Sequence, residues 1–196
     1  SDGYGVLVGR TLSSTGTGVL ANDSVANGAP LSVTAVNSAA GNVGQAVSGS
    51  YGTLTLNANG TFSYTPGALI GASTGSHLVD HFTYTTMANG LTATASLDIT
   101  LDRLPVVAAS SAILVKSAGA NLTVDGSRGV LVGAVDPDGD TLVVNAFGPM
   151  ATPAGQSVAG QYGTLTLKGD GGYSYVLSGS GPAAAQATDV FTFRVS

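Results

Sequence analysis

The 196-residue chain has no cysteine, no tryptophan and no glutamate; all eleven of its acids are aspartate. Without cysteine there is no disulfide framework, no thiolate nucleophile and no Cys-based zinc site. Without glutamate, paired-carboxylate glycosidase chemistry would need two aspartates in a cleft, and no spacing here sets up such a pair. Charge is scarce as well. Charged residues make up 9% of the chain, with six Lys and Arg and a net charge of −5, against about 25% in ordinary globular chains. Six scattered bases form no phosphate-binding patch, so nucleic acid is not expected as a partner. No apolar run approaches the roughly 18 residues a membrane span needs, so no membrane insertion is expected. There is no Gly-x-Ser-x-Gly elbow, no phosphate loop and no His-Glu-x-x-His, and the only histidines are His77 and His81. The chain is not expected to be an enzyme.

Small and β-prone residues are abundant. Glycine supplies 29 positions, and Ser and Thr together 43. Gly, Ser and Thr are mediocre to poor helix formers, so this usage favours short strands joined by tight turns. The hydrophobic content of 43% is enough for a packed core.

The chain repeats itself. Tyr51-Gly-Thr-Leu-Thr-Leu56 recurs identically as Tyr162-Gly-Thr-Leu-Thr-Leu167, 111 residues later. The same offset carries Gly18-Val19-Leu20 onto Gly129-Val130-Leu131, Leu31 onto Leu142, Val47 onto Val158 and Tyr64 onto Tyr175. It shortens to 109 where Asp80-His-Phe-Thr-Tyr84 meets Asp189-Val-Phe-Thr-Phe193, so two residues are lost in a Gly/Ser-rich loop. Two copies of one module follow. Pro105, after an alternating run that ends near Leu101, marks the linker. The boundary falls at 103/104, giving module 1 over 1–103 and module 2 over 104–196.

Within each copy the hydrophobic period is two: Leu54 and Leu56 alternate with threonines, as do Phe62 with Tyr64 and Phe82 with Tyr84. Alternation of this kind predicts half-buried antiparallel strands. Asn57–Gly60 and Lys168–Gly172 predict hairpin turns. About seven short strands in about 100 residues indicate an immunoglobulin-like β-sandwich. The fold class is therefore all-β, two tandem antiparallel sandwiches with no helix. Module 1 continues into a last alternating strand, Leu91–Leu101, while module 2 reaches Ser196 before any counterpart. The expectation is a fragment of a longer array, with an open strand edge able to self-associate.

Gly18-Val-Leu-Ala-Asn-Asp-Ser24, Leu31-Ser-Val-Thr-Ala-Val36, Gly52–Pro66 and Asp80-His-Phe-Thr-Tyr84 together resemble the tandem bacterial cadherin-like, immunoglobulin-like repeats of giant surface proteins and adhesins, of the VCBS and RTX-adhesin type. The resemblance covers nearly all of both modules. It implies an extracellular, calcium-stabilised sandwich, repeated many times, that carries a bacterial surface protein away from the cell. Its partners would be neighbouring repeats. The alternative is a glycan- or receptor-binding module acting through its end loops.

The candidate metal ligands are Asp136, Asp138 and Asp140, three carboxylates within five residues. Their mutual repulsion is relieved by a hard cation, and Ca²⁺ takes six to eight oxygens. Asp102 and Asp125 are further candidate ligands. The plainer readings are a solvated acidic turn for the trio and a surface ion pair with Arg103 or Arg128 for Asp102. At the matching places module 1 has Val25, Asn27 and Ala29, which puts a calcium site there in doubt. His77 and His81 do not sit on a helix, so their spacing of four carries no metal argument. The repeated acids Asp80 and Asp189 predict a scaffold role, capping a turn by accepting backbone N–H bonds. Tyr51 and Tyr162 are expected to pack on the sheet. Ser1–Tyr4 either starts the first strand of module 1 or ends a preceding module.

Overall fold

The computed structural model describes residues 1–25, 28–69, 74–107, 121–178 and 188–196. The chain divides into two compact units, Ser1–Leu104 and Pro105–Ser196. Among the described residues there is no α-helix, only three single-turn 3-10 segments, and no helix long and apolar enough to cross a membrane.

Among the described residues, unit 1 has eight strands: β1 (Asp2–Leu7), β2 (Leu12–Ser13), β3 (Ser32–Val36), β4 (Ala46–Ser48), β5 (Gly52–Leu56), β6 (Phe62–Pro66), β7 (Leu78–Ala88) and β8 (Leu91–Asp102). They form two sheets, in the orders β1-β8-β7-β3 and β2-β6-β5-β4. Alternation fixes which face each strand buries. Leu54, Leu56, Phe62, Tyr64, Phe82, Tyr84, Leu97 and Ile99 are all at most 3% exposed, and the threonines between them face outward. Each large side chain so buried contributes roughly 1.5–3 kcal/mol. The Asn57–Gly60 turn closes as expected: Gly60 N–H donates to Asn57 O, and Gly60 has φ +85°. Ser1–Tyr4 belongs to unit 1, because β1 begins at Asp2. The pairing of β1 with β8 is parallel, Asp2 opposite Leu97 and Leu7 opposite Asp102. It is an exception in an otherwise antiparallel sandwich.

Unit 2 has β9 (Asn121–Val124), β10 (Val144–Phe147), β11 (Thr152–Pro153), β12 (Ser157–Ala159), β13 (Gly163–Leu167), β14 (Tyr173–Leu177) and β15 (Phe193–Val195). Its sheets run β12-β13-β14-β9 and β11-β10-β15. The duplication extends to hydrogen-bond register. Ala46 opposite Thr55 becomes Ser157 opposite Thr166, and Gly52 opposite Pro66 becomes Gly163 opposite Leu177. The β3–β7 register is irregular between Val33 and Ala35, and β10–β15 is irregular at the matched place, between Val144 and Ala146. Among the described residues of unit 2, Val144, Phe147, Leu165 and Leu167 form a buried cluster, while Tyr175, Phe191 and Phe193 are half-buried. In unit 1 the matched Tyr64, Phe82 and Tyr84 are at most 1% exposed. Strand β7 pairs with both β3 and β8, whereas β15 pairs among the described residues with β10 alone.

Candidate functional site

The acidic loop lies in unit 2, between the turn that contains Val130 and Leu131 and strand β10. Gly139, at φ +87°, donates its N–H to Asp136 O and closes the turn. The Asp136 carboxylate folds back on the loop and accepts the Asp138 N–H at 2.7 Å and the Asp140 N–H at 3.5 Å. Asp138 is buried, at 4% exposure, while Asp140 is exposed. A buried carboxylate is costly unless paired, hydrogen-bonded or bound to a cation. In kind, this all-oxygen donor set suits a hard cation. In number it falls short, because among the described residues of unit 2 no three carboxylate oxygens from different residues lie within 4.8 Å of one another. Carbonyls or water would have to complete a calcium shell.

Asp102 ends β8 in unit 1, where its carbonyl accepts the Val8 N–H at 2.8 Å. Asp125 is the residue before the 3-10 turn Gly126–Arg128, and its carbonyl accepts the Arg128 N–H. In unit 1 the loop matched to the acidic run has Val25 and Ala29, with Asn27 outside the described residues. The side chains of Val25 and Ala29 offer no metal ligand.

The repeated acids have a well-defined task. The Asp80 carboxylate accepts the Ser50 N–H at 2.6 Å, the Tyr51 N–H at 3.0 Å and the Tyr64 hydroxyl at 2.6 Å. Asp189 accepts the N–H groups of Gln161 at 2.7 Å, Tyr162 at 3.1 Å and Gly163 at 3.1 Å, and the Tyr175 hydroxyl at 2.7 Å. Each carboxylate thus latches the turn before β5 or β13 to an aromatic of the next strand. The glycines explain how it gets so close: a Cβ on Gly49 or Gly160 would collide with the carboxylate. Burial pushes the Tyr175 phenol up to about 12, with further help from its hydrogen bond to Asp189. Tyr64 is raised further, by burial first and then by Asp80. For Asp189 burial acts upward, but the bonds from Tyr175, Tyr162, Gln161 and Gly163 outweigh it and hold the carboxyl below its ordinary value.

A second carboxylate cluster, which sequence reasoning missed, occurs in unit 1. Asp2, 8% exposed, accepts the Tyr84 hydroxyl at 2.6 Å and the Asn22 side-chain amide at 2.9 Å. Asp23 Oδ2 and Val19 O each lie 3.3 Å from the same hydroxyl. Burial, then Asp2, then Asp23 raise the Tyr84 phenol. The available signal was Asp2 itself, an acid at an alternating, core-facing position.

His81 is an exposed member of β7 whose Nδ1 lies 2.9 Å from Asp98 on the facing strand. His77 lies in the loop before β7. Tyr51 and Tyr162 are half-buried, and Tyr51 packs against the unit 1 core.

Comparison with known proteins agrees with this architecture. Residues 2–103 match the model of a bacterial cadherin-like domain, and residues 102–196 that of a bacterial Ig domain. No curated protein matches the chain. Two solved structures align along the whole chain. One is the endo-fucoidan hydrolase MfFcnA4 H294Q from glycoside hydrolase family 107, at 19% identity and a TM-score of 0.33. The other is MfFcnA4 itself, at 18% and 0.29. The chain covers 26% of each. The chain belongs to the bacterial cadherin-like domain family, with a bacterial Ig domain following in tandem.

Proposed function

We propose that this chain is a spacer segment of a bacterial cell-surface adhesin, and that calcium held at Asp136, Asp138 and Asp140 rigidifies its second unit. The observation that carries the spacer reading is the duplicated Asp–Tyr latch. In both copies the most engaged carboxylate faces donors of its own fold rather than an open site. Side chains committed in this way serve rigidity, which is what a stalk needs. The calcium reading rests on the acidic run itself, three carboxylates within five residues of unit 2. Neighbouring repeats of the same protein would be the partners, and the location would be extracellular.

The test is labelling of intact cells of the parent bacterium with an antibody to this segment, with and without protease treatment. Labelling of unbroken cells that protease removes is the expected result. Labelling only after lysis would overturn the surface assignment. Binding to a glycan array that mutation of the end loops abolishes would replace the spacer with a recognition module.

A further inference from the structure

The two units match residue for residue through the turn after the first strands. Val19 N–H donates to Gly60 O as Val130 N–H does to Gly171 O, and Asp23 N–H to Leu20 O as Ala134 N–H does to Leu131 O. On that register unit 2 has Gly133 for Asn22, Ala134 for Asp23 and Phe193 for Tyr84. From Leu104 to Val124 unit 2 also has no aspartate to match Asp2. The whole cluster is therefore missing from the copy that keeps Asp136, Asp138 and Asp140. It is present in the copy that has lost them.

The cluster joins three segments. Asp2 lies on edge strand β1, Asn22 in the turn and Tyr84 in the middle of β7. A buried carboxylate given two donors, one of them a phenol at 2.6 Å, is stabilised by charge-assisted hydrogen bonds. Asp2 Oδ1 accepts the Asn22 amide and Asp2 Oδ2 the Tyr84 hydroxyl, so each carboxylate oxygen has a donor from the protein itself. We propose that the Asp2–Asn22–Tyr84 cluster is a metal-free clasp that seats strand β1, so that unit 1 holds its N-terminal strand without calcium. The inference does not depend on calcium binding in unit 2.

The test is peptide-resolved hydrogen exchange of the full chain in calcium and in EDTA, for the natural sequence, Tyr84→Phe and Asp2→Asn. Phenylalanine is what unit 2 carries at the matched place, so the ring's packing is kept. Exchange over residues 3–7 should agree within about twofold between calcium and EDTA. Tyr84→Phe should speed that exchange about ten- to a hundredfold, the range for losing a hydrogen bond to a charged group. Asp2→Asn should act in the same direction. Calcium-dependent protection of residues 3–7 beyond that margin would overturn the proposal. So would a Tyr84→Phe chain whose β1 exchanges like the natural one. If Tyr84→Phe opens all of unit 1, including β5 and β6, Asn22→Ala decides: it removes one donor from an exposed position, and unchanged β1 exchange would then refute the clasp.

Discussion

The Asp80 latch can be tested by taking it apart from both ends. Tyr64 is fully buried, and its hydroxyl donates to Asp80 at 2.6 Å. Tyr64→Phe removes that single charge-assisted bond and should cost about 1.5–3 kcal/mol. Asp80→Ala also leaves the Ser50 and Tyr51 N–H groups and a buried phenol without an acceptor. At about 1–3 kcal/mol for each unsatisfied group, its cost should reach roughly 3–9 kcal/mol. That is a large share of the roughly 5–15 kcal/mol that stabilises a domain. The double variant should fall short of the sum of the two losses by about the value of the shared bond. Equilibrium denaturant unfolding reads all three. In a domain of this size each kcal/mol moves the melting temperature by about 4–8 °C. An Asp80→Ala chain within about 0.5 kcal/mol of the natural one would refute the latch, because surface changes alone cost that little.

Other consequences follow from the same geometry. Asp189 is held below its ordinary carboxyl value, so its contribution is full above the unfolded value of about 3.8. It should be lost as pH falls through the lower folded value, so that Asp189→Asn flattens the acid limb of unit 2 unfolding. Tyr175 acts at the other end: raised from 10.0 to about 12, it stabilises below pH 10 and should cease to do so as pH rises towards 12. Tyrosinate absorbance with far-UV circular dichroism would follow that limb, and Tyr175→Phe should remove it. Gly49→Ala and Gly160→Ala should each destabilise by about 1–3 kcal/mol, because the new methyl enters the carboxylate's space. Gly5→Ala is the control: a Cβ there meets nothing within 4 Å, and thermal melting should be unchanged or slightly raised.

Much of the fold was legible because local signals agreed. Alternation set the faces of β5 and β6, Asn57–Gly60 set their turn, and the identical Tyr-Gly-Thr-Leu-Thr-Leu strings exposed the repeat. The task of Asp80 and Asp189 was also legible, since an acid retained before an aromatic strand in two copies points to the scaffold. The strand irregularities were readable in principle: Val33 and Val36 are both buried yet three residues apart, which breaks a period of two. Of the Asp2 clasp only the acid at an alternating, core-facing position was readable, not its partners. The clasp joins residues 82 apart through a parallel pairing, and Tyr84 looks like any other alternating core aromatic. For the acidic loop the residue types were readable but their convergence was not. The side chain of Asp136 turns back to its own loop's N–H groups, and spacing alone does not encode that.

The central claim is that two modules of one ancestry are fastened differently, unit 1 by a clasp and unit 2 by a cation at its acidic loop. Differential scanning calorimetry of the full chain, in millimolar calcium and in EDTA, tests it directly. The account predicts two transitions, of which calcium raises only one. That rise should vanish in Asp138→Ala, since a ligand that binds only the folded state stabilises it, by about 2.7 kcal/mol at a hundred times its Kd. Calcium raising both transitions, or neither, would contradict it.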